Sequence, residues 1–354
     1  MGELALIERI RSGWGGGGAG RGVRLGIGDD CAVLRPPRGH EVLVTTDFTL
    51  EGLHFRRDWH SPESAGHRTL ARGLSDLAAM GGRPLAAFLS LALPAEMLGD
   101  RKGRVWVERF FAGLRALAER AGAPLAGGDT AQSPGGLVLA DIVLVGSAPG
   151  GRALRRGAGR AGDLLYVTGE LGGAAAELVA MAGREGKRQP TLHNGDVKDG
   201  PPVTLAARAS SRRGSHPQLY PEPRLGVGQA LLRRRLATAA IDLSDGLSTD
   251  LAHLCRESGV GAEIDARALP IHPLAARAGG RASEGALGLA LHGGEDYELL
   301  FAAPAGVRMP RSVAGVRVTP IGRLVRGSAI SLISIDRAGR ALKPGGWEHF
   351  AGKL

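Results

Sequence analysis

Apolar residues recur along this chain at helical spacing in some segments and form short unbroken runs in others. Leu4, Ile7 and Ile10 lie one turn apart and predict a short amphipathic helix over 3–11. EVLVTTDF, 41–48, has the length and β-branched content of a strand. SPESAGHRTLARGLSDLAAMG, 61–81, predicts a well-punctuated helix. Ser61 can cap it, Pro62 stands in its first turn and Gly81 follows its end. Leu70, Leu74 and Leu77 form its core stripe, which turns Asp76 onto another face with Thr69, Arg72 and Gly73. A second helix is expected over roughly 104–121, and GGLVLADIVLVGSAP reads as one long strand or two.

The pattern restarts after PGGRALRRGAGRAGD, a Pro-, Gly- and Arg-rich stretch beginning at Pro149. DLLYVTG reads as a strand and GAAAELVAM as the helix behind it. Residues 183–221 are polar, rich in Pro and Gly and aperiodic, and are expected to form a mobile insertion. ATAAIDLSDGLSTDLAHLCRESGVGAEIDARALP then predicts strand, acidic turn, helix and strand. Leu247, Leu251 and Leu254 are its helical stripe and Gly259 its stop. EDYELLFAAP reads as a further strand. The alternation predicts two α/β or α+β domains, 1–149 and 150–354. SGWGGGGAGRG, near the N-terminus, lacks the G-K-[ST] ending of a phosphate loop and reads as a linker. VTGELGGAAAEL is a second glycine-rich turn, suited equally to phosphate or to tight strand–helix packing.

Composition narrows the classes. No apolar run approaches the ~18 residues of a membrane span, and MGELALIERI has acidic residues where a signal peptide is basic and then apolar. A cytoplasmic protein is expected. Two cysteines, Cys31 and Cys255, with no C-x-x-C, exclude a disulfide framework and a structural zinc site. The net charge of +10 comes from 40 Arg and five Lys scattered along the chain, with only 4% aromatic residues. That pattern lacks the aromatic interleaving of a single-strand nucleic-acid binder, so no nucleic-acid partner is expected. Attraction of small anionic substrates is the better use of such a field.

The acidic residues carry the chemistry. Eight of the 17 aspartates fall in short segments beside Gly, Ser or Thr: Asp29, Asp30, Asp47, Asp76, Asp129, Asp242, Asp245 and Asp296. Each has an ordinary alternative. Asp245 can cap the helix that starts near Leu247, Asp129 can be a turn residue, Asp29 can be solvated, and Asp76 can lie on the surface beside Arg72. Taken together they favour a hard-cation site, because Mg²⁺ takes oxygen ligands and keeps positions for water and phosphate.

GIGDDCAVL, TTDFTLEGLHF, LSDLAAMGG, GGDT, GRALRRGAGRAGD, IDLSDGLSTDL, GGEDYELLF and GGWEHF occur in this order across nearly the whole chain. Together they resemble the thiamine-monophosphate kinase family, within the aminoimidazole ribonucleotide synthetase superfamily. The resemblance implies an α/β (α+β), two-domain aminoimidazole ribonucleotide synthetase-like fold. Its N-terminal mixed sheet with helices would bind ATP and Mg²⁺ and form a homodimer, and its C-terminal domain would be α/β. The implied reaction moves the γ-phosphoryl of ATP onto thiamine monophosphate, giving thiamine diphosphate and ADP. The acceptor phosphate has a second pKa near ~6 and is already ionised at neutral pH, so positioning and charge neutralisation matter more than a base.

Carried over by motif, Asp30, Thr45, Thr46, Asp47, Asp76, Asp129, Asp242 and Asp245 are implied ligands of several Mg²⁺ ions, and Asp30, Asp76, Asp129 and Asp245 the catalytic residues among them. Gly128, Asp129, Arg156 and Ser244 are implied ATP contacts. His54, Glu295 and Trp347 are implied contacts to thiamine monophosphate, where Glu295 would offset the thiazolium charge and Trp347 offer it an aromatic face. The chain departs from the family pattern at Gly73, at Ala131 and Gln132, and at Phe48, none of which is an implied metal ligand. Selenophosphate synthetase, the hydrogenase-maturation relative and aminoimidazole ribonucleotide synthetase itself fit less well. The first lysine is Lys102, the chain ends AGKL without a thiol, and GGEDYELLF with GGWEHF points away from the third.

Overall fold

The computed structural model describes residues 2–14, 22–185, 216–278, 283–333 and 339–347. Helix α1 (Glu3–Gly13) and the antiparallel pair β1 (Val23–Leu25) and β2 (Val33–Leu34) lead into a four-stranded sheet. Its strands are β3 (His40–Leu50), β4 (Arg83–Leu93), β5 (Leu125–Gln132) and β6 (Leu139–Pro149), in the order β3-β6-β4-β5. The β6 pairings are antiparallel, whereas β4 and β5 run parallel. A parallel pair needs a long crossover, which α3 (Ala95–Gly99) and α4 (Arg101–Ala121) supply. GGLVLADIVLVGSAP thus contributes a single long strand.

Helix α2 (Pro62–Ala79) forms where the sequence predicts. Ser61 Oγ accepts the Ser64 N–H at 3.2 Å, Pro62 opens the first turn, and Gly81 follows the end with φ of 69°. Leu70, Leu74 and Leu77 are at most 1% exposed and pack with Phe110 and Leu114 of α4 and with Ile142 and Leu144 of β6. Burying a Leu or Phe side chain stabilises by roughly 1.5–3 kcal/mol, so this stripe anchors the N-terminal core. Gly73 lies under the same sheet, where an added Cβ would come 2.8 Å from Leu144 Cδ2. The departure at 73 therefore belongs to helix–sheet packing. Phe48 points to the sheet's outer face and is 62% exposed.

The C-terminal sheet runs β14 (Gly339–Ala341), β13 (Ile330–Ile333), β9 (Gly261–Asp265), β12 (Val316–Val325), β7 (Leu164–Thr168), β10 (Leu299–Ala303), β8 (Ala239–Asp242), with β11 (Ser312–Val313) beside β12. Only β9 and β13 pair in parallel. Alternate residues of its strands serve two cores. Leu165, Val167, Ile241 and Leu300 pack under α7 (Leu247–Ser258), whose Leu247, Leu251 and Leu254 are buried. Tyr166, Ala240, Leu299 and Phe301 face the other way, onto α6 (Leu225–Arg234) and the end of α2. The remaining helices are α5 (Gly173–Glu185), α8 (Pro273–Ala278) and α9 (Ser283–His292). Among the described residues no helix is long and apolar enough to cross a membrane.

Helix α2 is thus enclosed on both sides. An added Cβ on Gly228 would sit 1.8 Å from the Ala78 carbonyl oxygen, so α6 and α2 meet backbone to backbone. The sequence marks only one apolar stripe on α2, yet Ser64, Arg68, Thr69 and Ser75 are buried as well. Arg68 reaches Glu295 of the C-terminal domain, and Thr69 Oγ1 donates back to the Ala65 carbonyl within the helix.

Two readings change. EDYELLFAAP becomes a strand only from Leu299, because Glu295 and Tyr297 take positive φ of 57° and 49° in the preceding turn. Most of the expected mobile insertion, like residues 15–21 of the expected linker, lies outside the described residues. Its last part does not behave as mobile. Gln218 is 1% exposed, and 216–222 pack between α2 and the C-terminal domain.

Candidate active site

β3 sorts the TTD motif by strand alternation. Thr45 and Asp47 face α2, while Thr46 faces out with Val44 and Phe48. Thr45 Oγ1 donates a short hydrogen bond to Asp76 Oδ2, and Thr46 Oγ1 donates to Asp141 Oδ1 at 2.7 Å on the opposite face. The Thr46 side chain is therefore turned away from the cluster that its neighbours form.

That cluster lies in the seam between the sheets. α2 presents Arg68, Arg72 and Asp76 at one-turn intervals, and β8 ends in the buried Asp242. Burial pushes the Asp47 carboxyl up to about 6, and the charges of Asp76 and Asp141 add to this against the pull of Arg72. Burial, then Asp76 and Asp47, pushes Asp242 up to about 7, with Arg156 opposing. Asp250 is raised to about 8 by burial and by Asp242 and Asp245. Carboxylates that raise one another in this way form one continuous field, from Asp141 through Asp47, Asp76 and Asp242 to Asp245 and Asp250.

Asp245 is not the helix cap that its position allows. Gly246 takes the N-cap position of α7, and Asp250 accepts the N–H groups of Asp245 and Gly246 at 3.1 and 3.0 Å. The C-terminal segment docks on this turn: the N–H groups of Gly345, Gly346 and Trp347 donate to Ser248 Oγ, Thr249 Oγ1 and the Asp245 carbonyl. Trp347 is held there and is 51% exposed. The Ser244 carbonyl accepts the Glu295 N–H at 2.7 Å.

Asp30 and Asp129 sit elsewhere. With Gly128 they line a cavity of about 610 Å³ between α1 and β5. Asp29 Oδ1 accepts the Asp30 N–H at 2.9 Å, and Asp129 does the same for Thr130. Strand register sets Asp129, Ser90, Asp141 and Phe48 in one row on the outer face of the sheet. Asp141 joins this row to the seam through its effect on Asp47.

Glu295 and His54 meet at Arg68. Arg68 is fully buried, with Nη2 2.7 Å from Glu295 Oε1 and 3.0 Å from the His54 carbonyl. Arg72 lies 3.5 Å from Glu295 and from Asp47 and donates to the Tyr297 hydroxyl at 3.0 Å. Burial alone would raise the Glu295 carboxyl, but Arg68, Arg72, Gln218 and His54 together hold it below the usual range. Arg72 thus spans the carboxylate cluster and the Glu295 pocket, where the sequence suggests only a surface partner for Asp76. Asp296 turns away from both. It accepts the N–H groups of Gly172 and Ala174 at 2.8 and 3.4 Å, and burial raises it to about 7. The VTGELGG turn has therefore committed donors to a carboxylate, which removes its phosphate-binding alternative.

Arg68, Arg72, Asp141, Gln218 and Asp250 are site residues that sequence reasoning missed. A faint signal existed for two of them: Arg68 and Arg72 precede the predicted Asp76 at four-residue intervals on the helix side opposite its leucines.

Comparison with known proteins matches this architecture. The families described as AIR synthase related protein, N-terminal domain and C-terminal domain, match residues 28–148 and 160–309. The thiamine-monophosphate kinase of Escherichia coli (strain K12) is 38% identical over 99% of this chain and 98% of its own length. The chain belongs to the thiamine-monophosphate kinase family. A crystal structure of thiamine-monophosphate kinase from Stenotrophomonas maltophilia K279a superposes with a TM-score of 0.73 at 35% identity, covering 94% of this chain and 96% of that one. A structure of AaThiL complexed with AMPPCP and TMP gives 0.71 at 28% identity, covering 99% and 97%. The family assignment rests on these full-length matches, and both domains of this family member carry the fold expected of it.

Proposed function

We propose that this chain transfers the γ-phosphoryl group of ATP to the phosphate of thiamine monophosphate, forming thiamine diphosphate and ADP. One observation carries the reading: Asp47, Asp76 and Asp242 share one electrostatic field between the sheets, with Arg156 near Asp242 and the Arg68–Glu295–His54 group joined to it through Arg72. A family structure bound to AMPPCP and TMP supports the two ligand classes.

The donor set fits Mg²⁺. Asp47 and Asp242 are pushed up first by burial and further by neighbouring carboxylates, a charge that a bound cation would offset. Among the described residues no three His, Cys, Asp or Glu side chains form a metal cage by themselves. That agrees with an ion held by one or two carboxylates and completed by water and phosphate oxygens. Asp47, Asp76 and Asp242, with Thr45 supporting Asp76, would share several such ions on the seam side, no one ion taking all three carboxylates. Asp30 and Asp129 would serve the cavity side, and Asp245 the turn under Trp347. Thr46 would contribute through its main chain, since its hydroxyl faces Asp141. When bound, Mg²⁺ neutralises phosphate charge.

The protein's own groups align the reactants. A non-bridging oxygen of the acceptor phosphate attacks the γ-phosphorus, and the bond to the β–γ bridging oxygen breaks, leaving ADP with the electron pair. Arg156 and Ser244 would contact the donor, and Gly128 would admit it closely beside Asp129. His54 and Glu295 would orient the organic end of the acceptor, with Trp347 against the cationic ring. A coupled ADP-release assay with Mg²⁺ and ATP tests this. Turnover is expected with thiamine monophosphate and not with free thiamine, which lacks the ionised acceptor. Equal turnover with both would sink the reading.

The domain division at 149/150 and a homodimer complete the proposal. β6 ends at Pro149 and the second sheet begins at Leu164. Val42, Val44 and Phe48 stand 50%, 66% and 62% exposed in one row on β3, an apolar face continuous with Val143 and Val145 of β6. A second copy on this face would cover it. Light scattering should then give twice the 36.6 kDa chain mass, falling to the single mass in Val44→Asp. A wild-type monomer at assay concentration would remove the dimer. A cytoplasmic location, where ATP is available, belongs to the same proposal.

A further inference from the structure

Residues 216–222 form a short strap between the two domains. His216 Nδ1 lies 2.6 Å from Glu177 Oε1, and Glu177 Oε2 accepts the Gln218 N–H at 2.9 Å. On the other side, His67 Nε2 donates to the Pro221 carbonyl at 2.7 Å, and Arg68 Nη1 donates to the Gln218 carbonyl. Both main-chain polar groups of Gln218 are therefore held, one by each domain.

The Gln218 side chain is then aimed at a single target. Its Nε2 donates to Glu295 Oε2 at 2.8 Å, while Arg68 holds Oε1 of the same carboxylate. Two donors on two oxygens leave the carboxylate no free rotation. Glu295 needs such restraint because it stands in a turn with positive φ, a strained backbone that its surroundings must impose. Its side chain remains 23% exposed, so one edge stays open to a ligand. Gln218 Oε1 is buried and has no partner among the described residues. The amide is thus placed for what its nitrogen does, at the expense of its oxygen.

We infer that Gln218 is a positioning residue for substrate selection, fixing the Glu295 carboxylate so that it presents one oxygen edge to the organic end of the phosphate acceptor. This rests on the kinase reading above. The nucleotide site is on other residues, so the effect falls on the acceptor alone. Removing the amide loses one hydrogen bond but also removes an orphaned buried oxygen, and stability changes little.

The experiment is steady-state kinetics of the full chain, with Gln218→Leu and Gln218→Glu beside wild type. In Gln218→Leu the KM for thiamine monophosphate is expected to rise about tenfold, the size of one hydrogen bond to a charged group. The KM for ATP and the melting temperature should stay near wild type. Gln218→Glu, which sets a second carboxylate against Glu295, should raise the acceptor KM further. A purely structural strap would instead lower the melting temperature and move both KM values together. Wild-type turnover with an unchanged acceptor KM in Gln218→Leu would overturn the positioning role alone. Absence of wild-type turnover would overturn the kinase reading beneath it.

Discussion

Asp76→Asn is expected to lower kcat about a thousandfold, in line with the loss of a major electrostatic element of an active site, without lowering the melting temperature. Asp76 is the carboxylate whose charge raises both Asp47 and Asp242. Asn keeps an oxygen that can accept from Thr45, so the local packing survives. The stability effect has a sign that pH reveals. Asp47 and Asp242 titrate near 6 and 7 when folded, against an ordinary value of 3.8. Between about pH 4 and 7 the folded protein therefore holds protons that the unfolded chain has released, and stability falls as pH rises. Removing the Asp76 charge should flatten that fall. Kinetics and thermal melts at pH 5 and 7.5, with and without Mg²⁺, check both parts. Mg²⁺ should raise the wild-type midpoint more than that of the variant. A variant with more than a tenth of wild-type kcat, or with an unchanged Mg²⁺ shift, would remove Asp76 from the metal set.

Arg68→Met should destabilise the protein by roughly 3–5 kcal/mol, the range for breaking a buried ion pair from one side. Arg68 is fully buried and serves Glu295, the His54 carbonyl and the Gln218 carbonyl, so its loss takes a donor from two carbonyls and leaves Glu295 with Arg72 at 3.5 Å as its nearest cation. Met keeps much of the side-chain volume, which isolates the polar contribution from a cavity. Glu295→Gln in the same chain should recover a good part of the loss, because the charge deprived of its closest partner goes with it. Urea denaturation of the single and double variants measures this coupling. A loss under 1 kcal/mol in Arg68→Met would mean that water reaches Glu295 and the pair is a surface feature.

Both experiments concern α2, where local pattern and tertiary role diverge. Its leucines repeat at helical spacing, and Ser61, Pro62 and Gly81 punctuate it, because capping and periodicity act within a few residues. The same pattern casts the opposite face as a solvent face. That face is buried because a second sheet and α6 close on it, a fact stored in residues more than a hundred positions away.

The carboxylates divide in the same manner. Their segments are visible as short acidic motifs beside small residues, and their order along the chain leads to the family. Convergence is not visible, since Asp47, Asp76 and Asp242 come from a strand, a helix and a strand of the other sheet. Strand alternation separates Thr45 from Thr46, a consequence of period two that the motif itself already carries. The strap at 216–222 is the opposite case. Its polar, aperiodic sequence has no local reason for order, and it is ordered by hydrogen bonds to Glu177, His67 and Arg68.

By itself, then, the sequence determined helices α1, α2, α4, α5 and α7, strands β3, β6, β7, β8 and β9, the two-domain class and the family, because propensity, capping and motif order are local or one-dimensional properties. The tertiary structure alone decided which charges meet. Arg68 and Glu295 are 227 positions apart, and no spacing rule pairs them. Burial made that pairing obligatory, since a charge removed from water must find its partner wherever the fold brings one.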